Sequence, residues 1–296
     1  MGKIDNIPPN LDVIRMGQNQ EQKSKRNLSI YDIGGILGTE AGHFGGMPAT
    51  ERLLEIMEIN PMEDKRWLEI GCGSGTTSCF IAERFPQVLV IGIDLSEQMI
   101  ASAKTRTQKK QLSNAEFRVA NAHNLPFKDN FFDVVIAESA TGVIPDKSRL
   151  LREYIRVLKP GGKFGNIDGF LTSEAAPEVG AKISELMSGV IGSSIAVRTS
   201  QEWKDLFRDA GFSNIRTEES RQDVLPFTTV KVMRKTYGIF GIIKITLRLG
   251  YYMIVNSSFR GVVNKIRKTR GIMFTKTKGG SYRNLGYQIL AASKPI

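Results

Sequence analysis

Short runs rich in Ile, Val and Phe alternate along the chain with segments of helical length. Arg66–Ile70, Val88–Ile93, Glu116–Val119, Phe132–Ala137 and Lys163–Ile167 read as strands. Ser96 is placed to cap a helix running to about Lys109, and Asp146 one running to Leu158, where Pro160-Gly161-Gly162 stops it. A helix over Ser200–Ala210 ends at Gly211, Asn214–Glu218 reads as a sixth strand, and Leu285–Ser293 as a seventh. Strands alternating with helices imply an α/β sheet that is mostly parallel, with helices on both faces. About sixty-five residues part the last two strands, far more than a usual connection. That stretch is therefore predicted to be a folded, largely helical insertion.

The pattern divides the chain into a lead-in and lid (1–46), a core (47–225), an insertion (226–280) and a final core strand (281–296). Hydrophobic residues make up 41% of the 296, enough for a sizeable core. Cys72 and Cys79 match neither a zinc pattern nor a disulfide framework, so no metal is expected and a reducing, cytoplasmic setting is. Met1–Met16 lacks the apolar stretch of a signal peptide. The net charge of +11 is unevenly spread: of 41 Lys and Arg, 14 follow Asp223, the last of the 30 acidic residues. The basic character thus belongs to the insertion and its flanks.

The chemistry is concentrated where the first strand turns into the first long helix, at Leu68-Glu69-Ile70-Gly71-Cys72-Gly73-Ser74-Gly75-Thr76. Glycines there let a ligand approach the backbone closely, at the strand ends where open α/β sheets bind ligands. The dinucleotide spacing G-x-G-x-x-G would need Gly at position 76, which is Thr76. Asp94 ends the second strand, where a carboxylate accepts from both ribose hydroxyls, a need shared by NAD and S-adenosylmethionine.

Together with that turn, Gly92-Ile-Asp94-Leu-Ser96, Asn121-Ala-His-Asn-Leu-Pro-Phe127, Phe132-Asp-Val-Val135 and Leu158-Lys-Pro-Gly-Gly162 appear in order over roughly residues 47 to 220. In these five motifs the chain resembles the class I S-adenosylmethionine-dependent methyltransferases. The resemblance implies a Rossmann-like, seven-stranded sheet with S-adenosylmethionine as cofactor. It implies that the turn from Glu69 through Gly71, Gly73 and Gly75 holds the methionine part and that Asp94 holds the ribose. Leu95 and Met99 would border the adenine, and Asn121-Ala122 would bind its edge. Asn121 stands where many members of the family have Asp; its side-chain oxygen accepts the same bond without charge.

Methyl transfer is an in-line displacement at a sulfonium, so positioning supplies most of the catalysis and no catalytic residue is obligatory. A base is needed where the nucleophile carries a proton. The candidates are Glu138 after the fourth strand, Asp168 after the fifth, and His43 in Ala41-Gly42-His43-Phe44-Gly45-Gly46, each with a structural alternative. His123 would only border the cofactor, and Tyr31 is expected to pack in the lead-in.

The Leu-Pro-Phe and Lys-Pro-Gly-Gly set is most similar to the small-molecule and lipid branch, including quinone and sterol methyltransferases. The segment Tyr237 to Val255 adds to this: it is strongly apolar, but Lys244, Arg248 and three glycines make it a poor membrane span. A small, apolar or lipid-like acceptor and peripheral contact with an anionic membrane are therefore expected. The alternative is an RNA methyltransferase whose basic C-terminal segment tracks phosphates. Neither the acceptor atom nor the oligomeric state is legible.

Overall fold

The computed structural model describes residues 43–63, 65–175, 177–191, 195–221, 230–273 and 284–296. Tyr31, nearly all of the 1–46 lead-in, and the insertion's two ends lie outside the described residues. The chain enters through α1 (Gly46–Ile56) and then alternates: β1 (Arg66–Ile70), α2 (Thr76–Arg84), β2 (Leu89–Asp94), α3 (Glu97–Lys109), β3 (Ala115–Val119), β4 (Phe132–Glu138), α4 (Lys147–Val157) and β5 (Leu158–Leu171). Two helices follow, α5 (Pro177–Ile191) and α6 (Ser200–Asp209), then β6 (Ser213–Ser220), the pair α7 (Val230–Val255) and α8 (Ser257–Met273), and β7 (Leu285–Ser293).

The seven strands form one sheet in the order β3-β2-β1-β4-β5-β7-β6. β1 pairs in parallel with β2 (Leu68 beside Ile91) and with β4 (Leu68 beside Val135). β7 runs antiparallel between β5 and β6, with Ile167 opposite Ile289. Chain order reverses between β1 and β4, which opens a crevice at their carboxyl ends.

Local chemistry sets the helix ends. Ser96 Oγ accepts from the Met99 amide and Asp146 Oδ1 from the Arg149 amide, as their sequence positions suggest. Thr199 and Glu202 close a reciprocal capping box on α6. The end of α4 differs from expectation. The helix stops at Val157, and Leu158 through Gly162 already belong to β5 rather than to a separate stop. The Gly161 amide reaches the Lys294 carbonyl and the Lys294 amide reaches Gly162, so the backbone pairing that continues β5 is supplied by the far end of the chain.

Two apolar layers cover the sheet. One joins Phe164, Tyr154, Trp203, Phe207 and Phe212 under α4 and α6; the other joins Leu53, Trp67, Ile81, Ile136 and Ile289 under α1 and α2. Each such side chain, fully buried, contributes roughly 1.5–3 kcal/mol. α5, which the strand and helix pattern did not single out, seats Ile183 against Leu285 and Leu171 at the carboxyl edge of the sheet. The insertion is helical, as predicted: α8 packs on α5, and α7 packs on α8.

Candidate active site

The turn after β1 is built so that only glycine fits at its bends. Gly71, Gly73 and Gly75 all have positive φ (68°, 51° and 76°). A Cβ on Gly71 would lie 2.7 Å from the Ala140 Cβ, and one on Gly75 would lie 2.8 Å from the Phe117 ring. The turn is pinned from several directions. The Cys72 amide donates to the Ile93 carbonyl (2.9 Å), and Arg106 Nε reaches over from α3 to the Ser74 carbonyl (3.0 Å). Glu69 lies buried behind the turn and accepts from Ser78 Oγ. Its burial, with Glu138 and Asp94 near, pushes its carboxyl up to about 8.

Asp94 links this turn to the next one. Its Oδ2 accepts from the Gly73 amide (3.0 Å) and its Oδ1 from the Ser96 amide (2.8 Å). Each oxygen retains acceptor capacity toward a ligand. Burial raises its pKa and these amides oppose the rise. Beside it Leu95 is 69% exposed, an apolar side chain held out to solvent, while Met99 is buried in α3. Asn121 is exposed next to buried Ala122, and its Oδ1 accepts from the His123 amide (2.9 Å). His123 itself turns to the Pro145 carbonyl through Nε2 (2.7 Å). The fold thus gathers Gly71, Gly73, Gly75, Asp94, Leu95, Met99, Asn121 and Ala122 along the carboxyl ends of β1, β2 and β3.

This cradle fits S-adenosylmethionine. Ser74 Oγ and Thr76 Oγ1 are buried there without a hydrogen-bond partner. Such atoms mark a place where the polypeptide alone leaves polar groups unsatisfied. An open carboxylate for a diol, an exposed apolar side chain for a base, and a glycine backbone match the parts of a nucleoside.

The three acid-base candidates separate into two clusters. Glu138 is buried, its Oε1 accepting from Thr50 of α1 (2.8 Å) and its Oε2 from Thr77 of α2 (2.6 Å). His43 stands against it, Nε2 lying 3.3 Å from Glu138 Oε2 and 3.1 Å from Thr50 Oγ1. Nδ1 faces the Phe44 carbonyl at 3.0 Å, which only accepts, so the ring hydrogen is assigned to Nδ1. Thr50 has a single hydroxyl hydrogen, which it donates to Glu138 Oε1, so its oxygen ties the carboxylate and the imidazole into one buried cluster. Sequence reasoning missed Thr50 and Thr77 altogether.

Asp168 lies on the other face of the sheet, buried, with Oδ2 accepting from the Gly142 amide (3.1 Å). Burial pushes its carboxyl up to about 7 against the pull of that amide, the Asn166 side chain and Lys147. The Lys147 ammonium, donating to the Gly142 carbonyl (3.1 Å), is brought down to about 8 by its own burial and by Arg198. Lys147 and Arg198 were also absent from the sequence reading.

Comparison with known proteins bears on this geometry. Residues 62–211 match the family model described as "Methyltransferase domain". An uncharacterized protein of Haemophilus influenzae is 33% identical over 204 residues, 68% of this chain and 77% of its own. The demethylmenaquinone methyltransferase of a Geobacillus species is 30% identical over 177 residues, 54% of this chain and 76% of its own. The chain also matches Arabidopsis thaliana phosphoethanolamine N-methyltransferases at 31–33% identity, but spans only 34% of their length. Among solved structures, phosphoethanolamine N-methyltransferase 2 of Haemonchus contortus, in complex with phosphomonomethylethanolamine and S-adenosylhomocysteine, superposes with a TM-score of 0.62 at 21% identity. The match covers 90% of this chain and 57% of that one.

Proposed function

From the chain's membership of the methyltransferase-domain family, which half its length matches, we propose that it transfers a methyl group from S-adenosylmethionine to a small, apolar or lipid-like acceptor, working in the cytoplasm and peripherally at an anionic membrane. The observation that carries the transfer is the pinned glycine turn joined to Asp94, with the two unsatisfied hydroxyls of Ser74 and Thr76 inside it. The apolar acceptor is supported by the likeness to a demethylmenaquinone methyltransferase and by the apolar insertion stacked on α5 at the carboxyl edge. The RNA reading gains no support. Lys244 and Arg248 of α7 alternate with exposed Ile, Leu and Phe, and the demethylmenaquinone and phosphoethanolamine methyltransferases above are named for small acceptors.

When bound, the cofactor supplies a methyl on a sulfonium, an electrophile that needs alignment more than activation. Asp94 and the glycine backbone fix the nucleoside end. Glu138, enclosed by Thr50, Thr77 and His43, acts as a positioning residue that locks α1 and α2 around the end of β4. Asp168 is the better base: a carboxyl near 7 is partly ionised at neutral pH and basic enough to accept a proton from an acceptor hydroxyl or acidic carbon.

The test is calorimetry on the full chain with S-adenosylhomocysteine and with NAD. Binding of the first and not of the second is expected; the reverse overturns the reading.

A further inference from the structure

α7 has two apolar faces and only one is covered. Beyond a bend at Gly238 (φ 65°), Ile245 is buried, and Leu249, Tyr252 and Met253 pack with Phe259 and Val262 of α8. The opposite face is bare: Phe240 is 87% exposed, Leu247 69% and Ile254 78%, with Ile243 and Tyr251 between them also exposed. At 3.6 residues per turn these five fall within an arc of roughly 80°, and Lys244 and Arg248 fall along one edge of it. An exposed apolar stripe of that length marks an interaction surface.

Charge selects the occupant. No acidic residue follows Asp223, whereas α7 and α8 carry Lys244, Arg248, Arg260, Lys265, Arg267, Lys268 and Arg270. A second copy laid on the stripe about a two-fold axis would bring cation against cation with no carboxylate between them. An anionic bilayer offers apolar depth for the stripe and counter-charge for its edge. The segment Gly238–Val255 is long enough to cross a membrane, with a mean hydropathy of 1.4 and 6% of it buried. Crossing would carry α8, seated on its other face, into hydrocarbon with its cations.

We propose that the α7–α8 hairpin is a docking element on which α7 lies flat in the interface of an anionic membrane. Its apolar stripe is inserted, and Lys244 and Arg248 sit at headgroup level. The hairpin is held rigidly for this. Asn256 Oδ1 caps α8 at the Phe259 amide (2.9 Å), and Arg260 closes the end of α7 on the Met253 carbonyl (3.0 Å). Through α8 and α5 it is anchored at the end of the sheet that also carries the glycine turn. This deepens the peripheral-contact reading above and rests on it, whichever acceptor is methylated.

The experiment is sedimentation of the full chain with vesicles of phosphatidylcholine alone and with a third of phosphatidylserine, at low and physiological salt. Wild type is expected to prefer the anionic vesicles at least tenfold at low salt and to weaken as salt rises. Phe240→Ser with Leu247→Ser should lower partitioning at least tenfold and Lys244→Glu at least threefold, with S-adenosylhomocysteine affinity unchanged in both. Equal binding to neutral vesicles, no binding, or insensitivity to the Phe240 and Leu247 changes overturns the proposal. So does a wild-type dimer that the same double substitution dissolves, or tighter binding of an RNA oligonucleotide than of vesicles. Failure of wild type to bind S-adenosylhomocysteine would instead overturn the methyl-transfer reading and leave the vesicle result standing.

Discussion

Replacing Asp94 by alanine removes two hydrogen bonds that exist without any ligand, to the amides of Gly73 (3.0 Å) and Ser96 (2.8 Å), as well as those a ribose would make. The two effects read out separately. Hydrogen bonds to a charged acceptor contribute about 1.5–3 kcal/mol each, less where water can replace the partner, as it can for amides at an open crevice. A stability loss of about 1–2 kcal/mol is therefore expected from the turn alone. Losing the ribose contacts should weaken S-adenosylhomocysteine by roughly 2–4 kcal/mol, or about 30- to 700-fold in Kd. Asp94→Asn should be no milder for stability: its amide group would set a donor against the Gly73 or the Ser96 donor. Calorimetry gives the affinity and urea denaturation the stability. A Kd within threefold of wild type, alongside the stability loss, would mean that Asp94 serves the turn only and that the ligand is held elsewhere.

Asp168 makes stability depend on pH with a definite sign. Its folded pKa, up to about 7, exceeds the unfolded value, so the native state binds the extra proton and this group's contribution falls as pH rises from about 4 to 7. Asp168→Asn should flatten that decline in a pH series of denaturation curves, and for a protic acceptor it should abolish the limb of the rate profile near pH 7; an unchanged profile removes Asp168 as the base. Glu138→Ala leaves two threonine hydroxyls and His43 facing a hole, at an expected cost of about 3 kcal/mol by urea denaturation, with a loss under 1 kcal/mol refuting the network. Gly71→Ala places a Cβ 2.7 Å from Ala140 at a φ of 68°, so a loss of about 2–4 kcal/mol with weakened cofactor binding is expected, and a neutral thermal melt would show that the turn yields.

Much of this protein was written locally. Alternating apolar runs located all seven strands, because each strand buries its own side chains whatever lies beyond it. Ser96 and Asp146 announced two helix starts, since a cap acts within four residues. The glycine spacing and Asp94 announced a tight turn at the end of β1 and a carboxylate at the end of β2, because positive φ and a carboxylate at a strand end are demands made at single positions. What the tertiary structure alone decided involves partners distant in sequence. Glu138 read as either a base or a structural carboxylate, and only the fold brings Thr50, 88 residues away, and Thr77, 61 away, onto it. Asp168 looked weaker until burial raised its carboxyl toward neutrality. The apolar segment after Tyr237 read equally as core or interface. A helix with apolar side chains on two faces does not say which one its neighbour will cover; only the packing of α8 against Ile245, Leu249 and Tyr252 left Phe240 and Leu247 bare.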